Sequence, residues 1–239
     1  MPARWDRQVL LLCMMVGLVT SCAGHKEKRG TPYAAWIPPG NVPPALEEIS
    51  NRAVDIVDLA AADAWPQVYA NVQSISDRWS DYKHPTVTPP SYPRPASGLL
   101  YGRLDTALAR LKAAAAARNN VETMRAANDV DAATVELVEF YNPAIPPDFH
   151  RLAVLERSIL LDAWDGKIDN ASSILVEVRR TWDRVRPAVV SRSSEQAAAA
   201  FDNAIADQQV AIDTPDSGRL GDYAGTALIT IQEMEQLSY

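Results

Sequence analysis

Cysteine is nearly missing from this 239-residue chain: there are two, Cys13 and Cys22, both close to the N-terminus. Beyond residue 22 no thiol is left, so no disulfide can brace the fold and a packed core has to hold it. Histidine is as scarce, with only His25, His84 and His150. No Glu is followed by His three residues later and no two His stand four apart. That removes the ligand patterns helical bundles use for iron and zinc. After residue 22 only Met124 and Met234 carry sulfur, too few for a copper-type cluster. Among ten glycines there is neither a phosphate-cradling loop nor a Gly-x-Ser-x-Gly elbow. Thr86-Val87-Thr88 is β-branched, but Pro85, Pro89 and Pro90 flank it and argue against a central strand. Metal, cofactor and catalytic residues are therefore not expected, and the chain does not read as an enzyme.

Alanine and helical periodicity are plentiful instead. Hydrophobic residues make up 47% of the chain and aromatics only 7%, and the runs at 113–117 and 197–200 are pure alanine, the best helix former. At the N-terminus, Arg4 and Arg7 precede an uncharged, mostly apolar stretch at residues 9–20. Its 12 residues fall short of the roughly 20 that span a bilayer, and the pattern is that of a secretory signal over residues 1–21. It ends in Val19-Thr20-Ser21-Cys22.

Those four residues resemble the lipobox of bacterial lipoproteins: an aliphatic residue, two small ones, then the cysteine that takes the lipid. The resemblance implies that Cys22 becomes the new N-terminus, carries palmitate-type chains and anchors the protein to an envelope membrane. The plainer alternative is a cleaved signal with Cys22 a bystander. Several acyl chains hold a protein stably, whereas one does so only marginally. Cleavage would remove Arg4, Asp6 and Arg7 and leave 21 basic and 29 acidic residues, a net charge of −8. Such a chain is a poor nucleic-acid binder and would be repelled by anionic head groups, so membrane contact is expected through the lipid. By resemblance to lipoprotein sorting, Ala23 in place of Asp favours the periplasmic face of an outer membrane, where the cell has one. Residues 22–42, with three glycines and three prolines, read as a flexible tether.

The remainder reads as all-α: eight helices in two tandem, duplicated four-helix units, residues 43–141 and 146–239. Shifted by 103 residues, two stretches align without a gap. Pro43-Pro44 falls on Pro146-Pro147, Ile49 on Leu152, Ile56 on Ile159, Val68 on Ala171, Ile75 on Val178 and Trp79 on Trp182. Most of these apolar positions advance by threes and fours, the spacing of one buried helix face. The spacing predicts helices over 45–62 and 66–82 in the first unit, and over 148–163 and 168–186 in the second. Turns are expected at Asp63-Ala64-Trp65 and Asp165-Gly166-Lys167, with a loop after Pro187. The second hairpins align at a shift of 97, Leu104-Asp105 on Phe201-Asp202, and their fourth helices match loosely. Each half is similar to a family of small, uncharacterised bacterial envelope proteins, through Trp65, Trp79, Leu104, Asp105, Leu108 and Leu111, and through Trp182, Phe201 and Asp202. That likeness implies a helical fold and lends no activity.

Three features could carry binding. Trp65 and Trp79 lie four turns apart, near one face, as core or as an aromatic wall. Glu156 falls on the apolar stripe between Leu152 and Ile159, where the first copy has Ala53. It is either a buried, paired acid or a boundary residue reaching water, and Arg157 beside it points off the stripe. Asn128, Asp129 and Asp131 interrupt the expected stripe of the fourth helix and either face the neighbouring unit or solvent. His150 reads as exposed, and nothing places the Ser, His and Asp residues together. Asp213, Asp216 and Gly218 are too few for a calcium loop. The functional expectation is a lipid-anchored envelope protein with a non-enzymatic helical binding or adaptor domain that contacts another envelope protein. The alternative is a small-ligand or metal-binding protein with a site between the halves, near Glu156 or residues 128–131.

Overall fold

A computed structural model describes residues 42–84, 98–143, 146–192 and 195–237. The expected signal, Cys22, the tether up to residue 41, His25 and Thr86-Val87-Thr88 lie outside the described residues, whereas Val42 at the tether's end packs against the first core. Among those described the chain is all-α, with eight helices and no strand. They are α1 Pro44–Ala61, α2 Trp65–Lys83, α3 Gly98–Ala116, α4 Asn120–Glu139, α5 Pro147–Trp164, α6 Ile168–Arg192, α7 Glu195–Asp213 and α8 Ser217–Leu237.

Helices α1, α2 and α5 lie where their apolar stripes predict. On α1, Leu46, Ile49, Ala53, Ile56, Val57 and Ala60 are buried, and on α2 Val68, Val72, Ile75, Trp79 and Tyr82 are. Each large aliphatic side chain so placed contributes about 1.5–3 kcal/mol through removal from water. In the first half α1 packs on α2 and α4, and α3 packs on α4 and α2; in the second, α5 packs on α6 and α8, and α7 packs on α8 and α6. Two apolar clusters result, one per half, with Leu161 of α5 reaching into the first. The halves join where α4 packs on α5.

The helix ends repeat from half to half. Pro43 and Pro146 precede α1 and α5, and their carbonyls accept from Leu46 N and Phe149 N; the proline at the first helical position gives up an N–H that has no partner there in any case. Asp63 and Gly166, 103 residues apart, take the left-handed turn after α1 and α5, at φ 57° and 68°. Ala64 N then returns to Leu59 O, and Lys167 N to Asp162 O, both at 2.8 Å, closing each helix in the same way. Asn119 and Asp216, 97 apart, cap α4 and α8 by accepting from Glu122 N and Arg219 N.

Two expectations are corrected. The helix expected to stop near Arg186 continues through Pro187 to Arg192. Val185 and Val189, buried on either side of the proline, supply packing that outweighs the lost backbone bond and ring clash, a cost of about 3 kcal/mol. The fourth helix does not carry one apolar stripe with a solvated back. It is buried around most of its circumference, because α1 and α3 cover one side and α5 of the other half covers another.

Candidate functional site

The α4–α5 contact is polar. Arg125, Asn128 and Asp131 advance by threes along α4 and form one ridge. Their partners on α5 come in the opposite chain order. Arg125 donates to Asp162 Oδ1 at 2.6 Å and to the Leu161 carbonyl at 3.1 Å. Asn128 Nδ2 donates to Ser158 Oγ at 2.8 Å and to the Val154 carbonyl at 3.0 Å. One nitrogen of Arg157 serves both Asn128 Oδ1, at 2.7 Å, and Asp131 Oδ2, at 2.9 Å.

Asp131 is the centre of this cluster and is fully buried. Besides Arg157 it accepts from Ser50 Oγ of α1 at 2.5 Å and lies 3.2 Å from His150 Nε2 of α5. Burial pulls its ionisation upward. The hydrogen bond and charge of His150, the charge of Arg157 and the Ser50 hydroxyl together outweigh that and hold the carboxyl at about 2. His150 answers in kind. Burial works against a charged ring, but the hydrogen bond and charge of Asp131 and the charge of Glu235 raise its pKa above 6.5, against opposition from Arg157.

Asn128 and Asp131 therefore face the neighbouring half, not solvent, whereas Asp129 is exposed. Arg157 does point off the apolar stripe, and that direction leads into the α4 contact, where it is 8% exposed. His150, expected on the outside, is half-buried at the same cluster. The structure thus brings a Ser, a His and an Asp together that no sequence pattern joins. They do not form a proton relay. Ser50 Oγ and Asp131 Oδ1 both lie against the same ring nitrogen, Nε2, at 3.0 and 3.2 Å. A relay needs the acid on one nitrogen and the hydroxyl on the other. The geometry is that of an ion-pair fastener between halves.

Glu156 faces the opposite way, into the second core. It is fully buried, so it is not a boundary residue, and its Oε2 accepts from Gln208 Nε2 of α7 at 2.8 Å. Gln208 is not among the residues the sequence reading singles out. A signal was present: it is the one amide at the buried positions 201, 204, 205, 208 and 211 of α7, as Glu156 is the one acid of its stripe.

Trp79 and Trp182 are core residues with a polar tip, and Trp65 packs in the first core. Trp79 and Trp182 are 2% and 3% exposed. Trp79 Nε1 donates to Asp105 Oδ1 at 2.6 Å, and Trp182 Nε1 to Asp202 Oδ1 at 2.7 Å. Lys83 and Arg186, each four residues after its tryptophan, bind the same carboxylates at 2.6 and 2.8 Å. Each half thus has a Trp–Asp–cation clasp between its second and third helices, at the sequence offsets of 103 and 97.

Among the described residues there are open grooves. One of about 580 Å³ lies between α3, α4 and α5, lined by Arg110, Arg125, Asn128, Asp129, Ser158 and Leu161 among others. Arg125 is engaged by Asp162, and Arg110 stands 3.7 Å from Asp129. Among the described residues no three His, Cys, Asp or Glu side chains stand together as metal ligands, and no helix is long and apolar enough to cross a membrane. Compared with known protein families, with curated proteins and with solved structures, the chain matches none.

Proposed function

We propose that this chain is a bacterial envelope lipoprotein, held to a membrane through fatty chains on Cys22, whose helical body is a non-enzymatic binding or adaptor module built by tandem duplication. The observation that carries the anchor is Val19-Thr20-Ser21-Cys22 at the end of an apolar stretch that Arg4 and Arg7 precede. Duplication draws support from the paired clasps, the paired turns at Asp63 and Gly166, and the paired caps at Asn119 and Asp216. The adaptor reading draws support from how the interior polar groups are used. Asn128 and Asp131 spend their hydrogen bonds on Arg157, Ser158, Ser50 and His150, inside the fold. An outer membrane facing the periplasm is the proposed location where the cell has one, and another envelope protein is the proposed partner.

Metabolic labelling with a fatty acid tests the anchor. The native chain takes up label and sediments with membranes, and Cys22→Ala does neither. An unmodified sulfur at position 22 in the mass spectrum of the native protein would refute it. A second reading, a small-ligand site between the halves, has one observation in its favour: the groove beside Asn128 and Ser158. A photo-cross-linking residue at position Arg110 separates the two. A protein adduct in the cell favours the adaptor, and only low-mass adducts favour the ligand site.

A further inference from the structure

The second half holds a polar pair that neither the helix-helix interface nor the clasps use. Glu156 and Gln208 are both fully buried and share one hydrogen bond, from Gln208 Nε2 to Glu156 Oε2. Two buried oxygens are left without a partner on these same residues, Glu156 Oε1 and Gln208 Oε1. Buried acceptors without a donor are costly, and on a pair already joined by one hydrogen bond a single added proton can satisfy both. We infer that Glu156 and Gln208 form a closed carboxylic acid–carboxamide pair, a proton-binding site sealed in the core of the second half. The amide N–H donates to Oε2, and a proton on Oε1 is donated to the amide oxygen.

The surroundings agree. α5 packs against α4, α6 and α8 and meets α7 at Gln208. No charged side chain from any of these helices shifts the Glu156 carboxyl: the influences on it are burial, which raises it from 4.5 to about 8, and the Gln208 amide, which lowers it. The nearest cation along the chain, Arg157, turns to Asp131 on α4. The first half shows that the fold does not need the pair. At the offsets of 103 and 97 the equivalent positions are Ala53 and Leu111, both fully buried. One half is therefore proton-linked at this layer and the other is not.

A folded-state value raised above the unfolded one gives stability that is complete below about pH 4.5 and is lost as pH rises through about 8. Over that window the unfolding equilibrium constant rises about tenfold per pH unit from this one proton. Carbon-13 NMR of the full chain labelled at glutamate carboxyls reads the site directly. One resonance of the native protein is expected to titrate near pH 8, and it disappears in Glu156→Gln. Urea unfolding of Glu156→Gln, and of the double variant Glu156→Ala with Gln208→Leu that installs the first half's solution, is expected to lose this component of the pH dependence. If every glutamate of the native protein titrates near its ordinary value, the inference is overturned. It is equally overturned if the double variant folds and keeps the full alkaline loss of stability.

Discussion

Replacing Arg157 with Met tests the fastener between the halves. Arg157 is 8% exposed and Asp131 fully buried, so the substitution leaves a carboxylate in the interior with Ser50 and a half-buried His150 as its remaining partners. Asn128 Oδ1 also loses its donor. Removing one member of a buried ion pair costs about 3–5 kcal/mol. For a helical body of this size each kcal/mol lowers the melting temperature by about 2–4 °C, so a fall of roughly 6–20 °C is expected. Adding Asp131→Leu removes the stranded charge. The double variant should recover most of the loss and come within about 2 kcal/mol of the native protein. Urea titrations at neutral pH, followed by far-UV circular dichroism and by tryptophan fluorescence, give the four corners of the cycle. A loss below about 1 kcal/mol for Arg157→Met, or strictly additive effects of the two changes, would refute the reasoning.

Two further predictions bear on pH and on the paired clasps. His150 has a raised pKa, so its attraction for Asp131 is complete below about pH 6.5 and is lost as pH rises through its folded value. His150→Gln should therefore flatten the stability profile just above pH 6.5 and approach the native protein at alkaline pH; a variant that parallels the native profile across that range counts against the pairing. Trp79→Phe and Trp182→Phe each lose an indole N–H bond to a carboxylate together with buried ring area, at about 2–3 kcal/mol each by urea titration. Costs differing by more than about 2 kcal/mol would show that the two clasps are not equivalent.

Local periodicity made the helices legible. Leu46, Ile49, Ile56 and Ala60 lie on the buried face of α1 as their spacing requires, and Trp79 and Trp182 occupy one register position in two halves. Glu156 stood out because a single acid in an apolar stripe is a local anomaly. The fastener was not legible, because the members that contact one another are at least 19 residues apart in sequence, on three different helices, or sit next to stronger local signals. Ser50 adjoins Ile49 on a stripe that looks complete without it. Arg157 reads as an exposed neighbour of Glu156, since adjacent residues point about 100° apart around a helix.

What the sequence determined alone is the helical character of each segment and its buried face, because both depend on residues within a few turns of one another. Tertiary structure decided what covers the other faces. Only once α5 packs on α4 does the polar ridge of Arg125, Asn128 and Asp131 leave water, and only then does Arg157 become the cation that makes its burial tolerable. Burial of charge is a property of the partner surface, and that partner lies in the other half of the chain.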